Sequence, residues 1–239
     1  MRLKIGAIPE TPDTSPDVLW RPLREPTPII LQLWALPLGI LAAVLVGIFW
    51  VYFTPLPAAW LNPVNHGLVK YGIELIMRGS VLLNMWLGLH GAALTAATYV
   101  LVAALSVFAA IALAAIQLGL LIPVHELFHA AVHPHFGLSE NSILGIWPAK
   151  GVCYAHYTGE LSRSRVVAIY SMPFLAISLS PLLLCAITAR SSGLLAVISI
   201  LNALASCVDM LAIGLILFQI PANATVRNNG WKTSWRAGG

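Results

Sequence analysis

The sequence predicts an all-α integral membrane protein with about four transmembrane helices, one amphipathic helix at the interface, and a short β-hairpin in its longest polar segment. Three observations carry that expectation. Hydrophobic residues make up 59% of the chain and charged residues only 9%, against roughly 25% charged in a typical soluble domain. Several apolar runs reach the ~18–20 residues that a helix needs to cross a bilayer. If those runs cross alternately, ten of the 13 Lys and Arg residues fall on one side, the asymmetry that marks cytoplasmic flanks.

Residues 1–28 are polar and proline-rich, with Pro9, Pro12, Pro16, Pro22, Pro26 and Pro28. The apolar stretch behind them is too long for the core of a cleavable signal, so it reads as a retained anchor. This first span runs from Ile29 to Phe53 and stops at Thr54-Pro55-Leu56-Pro57, which cannot continue a helix. Asn65 to His90 sets Lys70, Glu74 and Arg78 among leucines, the pattern of an amphipathic interfacial helix. Ala92 to Val124 is almost uninterrupted apolar and forms the second span. As one straight helix it would be about 50 Å long, beyond the ~30 Å of a hydrocarbon core. A kink is therefore expected at Gly119 or Pro123.

The polar stretch from His133 to Arg165 comes next, and within it Gly151 to Thr158 has the β-branched and aromatic residues of a strand. Val166 to Ala189 and Leu194 to Ile220 complete the four spans, joined by the tight turn Arg190-Ser191-Ser192-Gly193. Residues 29–220 thus read as one membrane-embedded domain between a cytoplasmic N-terminal segment, 1–28, and a cytoplasmic tail, 221–239.

The net charge of +4 comes from basic residues scattered singly, without an aromatic-interleaved basic patch, so nucleic acid is not an expected partner. Cys153, Cys185 and Cys207 are odd in number and far apart, and read as small hydrophobes rather than a disulfide or metal framework. No inverted repeat supports a transporter.

The chemistry concentrates in His125-Glu126-Leu127-Phe128-His129, where the second span ends. On a helix, positions i and i+4 share a face, so His125 and His129 can offer two imidazole nitrogens to one zinc ion, with Glu126 beside them as general base. Catalytic zinc needs a third protein ligand. Asp209 lies in the middle of the last span, where an unpaired carboxylate costs about 2.5–3.5 kcal/mol on insertion scales; metal ligation offsets that cost. Asn202, Ser206 and Asp209 fall at i, i+4 and i+7 and form one polar stripe, with Asn202 and Ser206 expected to pack or support the site. His133, His156 and Glu160 stay open as other third ligands.

These residues carry a family resemblance. HELFHA at the end of an apolar helix, Met172-Pro173-Phe174 in the next span, the Asn202-x-x-x-Ser206-x-x-Asp209 face and the tail VRNNGWKTSW resemble the "putative zincin peptidase" family of small membrane proteins, over roughly Leu94 to Trp235. That family is in turn distantly similar to site-2 proteases, which cut peptide bonds within or beside the membrane. The resemblance implies His125, His129 and Asp209 as zinc ligands and Glu126 as general base. Asn65 to His90 and the added His133-Pro134 depart from the pattern, as does the missing proline- and glycine-containing loop around the aspartate.

The expected activity is that of a zinc-dependent membrane metalloendopeptidase, acting from the cytoplasmic side on a membrane-associated protein or peptide. A non-catalytic zinc-binding membrane scaffold is the alternative. Catalytic zinc sites keep one position open for water, whereas a scaffold's site would be closed by four protein ligands.

Overall fold

A computed structural model describes residues 1–10, 20–54, 67–88 and 91–237. They form two units, one made of 1–54 with 120–239 and the other of 55–119.

In the first unit, helix α1 (Pro28–Phe53) begins on a proline, which has no amide hydrogen to waste at a helix start. It ends at Thr54, whose hydroxyl donates to the Trp50 carbonyl at 2.6 Å. Ala35, Gly39, Val46 and Trp50 are its buried stripe. They pack on α5 (Gly193–Ala205) and α6 (Cys207–Gln219), which meet at a 46° bend. Gly39 permits the closest approach: a Cβ there would stand 2.6 Å from Cys207 Cβ and 2.8 Å from the Leu204 carbonyl oxygen, on either side of the bend.

Helix α4 (Arg163–Thr188) is regular to Pro173, widens into a π-helical stretch over Phe174–Leu179, and resumes at Ser180. Such π stretches recur at functional sites. In the second unit, α2 (Gly67–Trp86) meets the first part of α3 (Gly91–Ala131) through a buried hydrogen bond from Asn84 to the Thr98 hydroxyl, 3.1 Å long. Helix α3 runs from Gly91 to Ala131 as one element with Pro123 inside it.

The all-α expectation is corrected. The protein is mostly helical, but it also carries two small sheets. The first has the order β1-β3-β4, with β1 (Arg2–Ile5) parallel to β3 (Ser142–Trp147) and β3 antiparallel to β4 (Val152–Tyr157). The β3–β4 pair is the expected hairpin, closed by Gly151 at φ 62°. The second sheet has the order β2-β7-β6-β5, from β2 (Arg21–Pro22), β5 (Leu161–Ser162), β6 (Thr225–Asn229) and β7 (Lys232–Arg236). Its β6–β7 hairpin turns at Gly230-Trp231, with Gly230 at φ 58°. The segments read as polar flanks supply strands because their residues pair with partners far along the chain: Arg2 lies opposite Ile143, and Arg21 opposite Trp235. A small core of Leu23, Val166, Ile216, Ile220, Ala224 and Val226 joins the second sheet to α4 and α6.

Among the described residues, two helices, Pro28–Phe53 and Arg163–Thr188, are long and apolar enough to cross a membrane, and the bent α5–α6 pair adds a third if it is one span. Within α3, the described residues yield only a shorter apolar stretch, Ala93–Leu105.

Gly39→Ala must push α1 off the α5–α6 bend. A loss of about 1–3 kcal/mol is expected from such overpacking, read as a lower thermal midpoint in detergent; an unchanged midpoint would show that the contact at Gly39 is not tight.

Candidate metal centre

Helix α3 delivers His125 and His129 on one face and stops two residues later. His133 sits past the helix end with Pro134 behind it, and Pro134 opens a short 3₁₀ turn rather than extending α3. His125 and His129 are each only 6% exposed. Ligand atoms of His125, Glu126 and His129 lie within 4.8 Å of one another.

Each histidine has its outer nitrogen tied to an acceptor. His129 Nδ1 is 2.8 Å from the Ile169 carbonyl, and His125 Nδ1 is 2.9 Å from Asn202 Oδ1. The Asn202 orientation is set by its own amide, which donates to the Pro173 carbonyl at 3.0 Å and to Ser178 Oγ at 2.9 Å. Ser178 in turn donates to the Ser199 carbonyl at 2.9 Å. Both Nδ1 atoms therefore carry hydrogen, and both Nε2 atoms turn a lone pair inward.

Those lone pairs meet a carboxylate. His125 Nε2 is 3.0 Å from Asp209 Oδ2, and His129 Nε2 is 3.4 Å from Asp209 Oδ1. Lone pairs opposed at that distance repel unless positive charge lies between them, either a second proton on a ring or a metal ion. Two atoms bound to one tetrahedral zinc at ~2.0–2.1 Å stand about 3.3 Å apart, so the spacing and the N,N,O donor set suit zinc.

Local sequence explains why the acceptors are there. A helical carbonyl normally receives the amide four residues on, but for Ile169 that residue is Pro173, which has none. The carbonyl is left free for His129. Asn202 ends α5 and Asp209 opens α6, so the bend at Ser206 lies between the residue that orients His125 and the one that faces both rings. The Ser206 hydroxyl donates to the Asn202 carbonyl at 2.9 Å and seals the end of α5.

Glu126 Oε2 accepts the Ala155 amide of β4 at 2.7 Å. That amide points away from β3, so the outer edge of β4 runs beside the site. Burial pushes the Glu126 carboxyl above the usual carboxylate range, with the two histidines opposing the rise. For His129, burial disfavours the charged ring, but Asp209 and then Glu126 outweigh it and lift the group to about 9. A cavity of about 350 Å³ opens over these groups, between the two sheets and helices α4 and α6.

Of the residues that sequence left open as third ligands, Glu160 is occupied by Arg236 at 2.7 Å on the surface. His133 and His156 line the cavity; like Asp209 they stand outside the His125–Glu126–His129 group, but Asp209 faces both rings at 3.0 and 3.4 Å. His133 Nδ1 lies 3.1 Å from Ser142 Oγ. The part of Ile169 and Pro173 escaped sequence reasoning, although a proline four residues beyond a carbonyl in an apolar helix always signals a free acceptor.

Helices, bend and donor set together define a helical protein with an H-E-x-x-H metal-type group where a long helix ends. A family model described as "putative zincin peptidase" matches residues 118–225, somewhat under half of the chain. No curated protein and no solved structure matches the chain.

Burial holds His133 at about 4, with the positive charges of His129 and His156 adding to the effect, and burial with Lys4 holds His156 at about 4. Both are depressed below an ordinary histidine, so below about pH 6.5 the two take stability away, increasingly as pH falls toward 4. The decline should amount to a few kcal/mol for the pair. Thermal midpoints between pH 4 and 8 should show it, and His156→Gln should flatten the slope; an equal slope in the variant would contradict the assignment.

Proposed function

We propose that the protein is a zinc-dependent membrane metalloendopeptidase that hydrolyses peptide bonds of a membrane-associated protein or peptide from the cytoplasmic side. The observation that carries this reading is the convergence of two inward-turned histidine nitrogens on the Asp209 carboxylate, with Glu126 alongside. The ten-to-three distribution of basic residues supports the sidedness.

His125, His129 and Asp209 fit the role of three ligands, which leaves the fourth position of a tetrahedral site open, as in catalytic zinc sites. Zinc held there supplies Lewis acidity to a water molecule and to the scissile carbonyl. Glu126 takes the proton from that water and hands it to the leaving amine. Its raised pKa suits a base that must also act as an acid near neutrality. The Ala155 amide holds one carboxylate oxygen and leaves the other for proton transfer. An extended peptide lies along the outer edge of β4, where the amides of Cys153 and Tyr157 point the same way as that of Ala155.

Protein purified gently in detergent should contain about one zinc per chain. Glu126→Gln should keep the metal and lose about 10²–10⁴-fold in peptide hydrolysis. Protein without stoichiometric zinc would overturn the proposal, and zinc without cleavage of any peptide would favour the scaffold alternative. Because zinc must displace the proton on His129, its affinity should rise roughly tenfold per pH unit and level off at about 9. Asn202→Ala should weaken zinc binding about 10–100-fold in chelator competition; an unchanged affinity would remove Asn202 from the site.

A further inference from the structure

The cavity over the metal centre has a second polar end. Its lining includes three acids, Glu25, Glu126 and Asp209, and no Lys or Arg. Asp209 and Glu126 belong to the metal centre; Glu25 does not. Glu25 Oε1 accepts the Thr233 amide at 2.9 Å, and among the described residues no cation pairs with the carboxylate. Thr233 stands directly opposite Asn228 across the β6–β7 ladder. Asn228 and Tyr170 line the same cavity, and the Tyr170 ring lies 6.0 Å from the His129 ring. Asn228 Oδ1 is buried and has no hydrogen-bond partner.

One tyrosine ring away from the metal centre, the cavity therefore presents a carboxylate without a counter-ion and a buried acceptor without a donor. A buried acceptor left unpaired is costly, and a half-buried carboxylate gains from a cation beside it. Burial lifts the Glu25 carboxyl above its ordinary range, with the Thr233 amide opposing the rise. Thr233 already fills one carboxylate oxygen, so capping a strand amide accounts for half of what Glu25 presents. Leu23, Val166 and Ile216 line the same cavity and suit the methylene stem of a long side chain.

We propose that Glu25 and Asn228 form a subsite for a basic side chain, Lys or Arg, of the peptide whose scissile bond lies at the metal centre. This rests on the peptidase reading for what is cleaved, but not for what is bound. The ammonium or guanidinium group supplies the cation for Glu25 and the N–H donor for Asn228 Oδ1, while its stem packs on the apolar wall.

The test is binding of short peptide hydroxamates to the zinc-loaded full chain in detergent, with Lys, norleucine or Glu at each position beside the chelating group. At one position the Lys compound should bind at least about tenfold more tightly than the norleucine compound, and the Glu compound more weakly than either. Glu25→Gln, which keeps the shape and the acceptor for Thr233, should abolish the difference between Lys and norleucine at unchanged zinc content. Asn228→Asp should widen it. Equal binding of Lys and norleucine compounds, or a preference that survives Glu25→Gln, would overturn the subsite even if peptides are cleaved. A Lys preference lost in Glu25→Gln, without hydrolysis of any peptide, would support the subsite and sink the peptidase reading instead.

Discussion

The structure turns on the opposition of two histidine Nε2 atoms and the carboxylate of Asp209, in largely buried surroundings. A carboxylate and two ring lone pairs at 3.0 and 3.4 Å are not a stable group by themselves. They need positive charge between them, and burial raises the cost of leaving the need unmet. What makes the opposition stringent is the outer nitrogens. Each histidine gives its Nδ1 hydrogen to an acceptor that has little freedom to move, so neither ring can escape by exchanging its tautomer.

That rigidity comes from backbone features rather than from further charged groups. Pro173 withholds an amide and so frees the Ile169 carbonyl; the π stretch after it sits beside the Pro173 carbonyl and Ser178, which fix Asn202. The bend at Ser206 separates Asn202 from Asp209, and Gly39 lets α1 press against that bend. Each device is a local departure from regular helix, and each is supported by packing from a neighbouring element. Asn202, Ser178, Ser199 and Ser206 are tolerated among apolar helices because each is hydrogen-bonded there.

Much of the centre was legible in the sequence, because its logic is local. The i, i+4 histidines need only a helix, and Asp209 stands out as a lone carboxylate in an apolar run. The i, i+4, i+7 stripe of Asn202, Ser206 and Asp209 reads as one helical face; in the structure it spans two helices, and the polar side still turns toward the histidines. The sheets were harder to read for a physical reason. β1 is four residues long and β2 two, and each pairs with residues more than a hundred positions away, so no periodicity within either segment reveals its partner. The β6–β7 hairpin lies in a tail read only as polar, and it becomes a four-stranded sheet only when Arg21 and Leu161 arrive from elsewhere.

The same division separates chemistry from selectivity. His125, Glu126, His129, Asn202 and Asp209 all lie within residues 118–225, the stretch that matches the family. The far wall of the cavity does not: Ile8, Leu23 and Glu25 precede that stretch, and Asn228, Trp231 and Thr233 follow it. These wall residues reach the cavity through strand pairing at the two ends of the chain, β2 against β7 and β1 against β3. A metal centre held by helix-based constraints is thus enclosed by segments whose sequence those constraints do not dictate. Glu25, Asn228 and Thr233 lie outside the contacts that hold His125 and His129, so the two walls of the cavity are built by separate parts of the sequence.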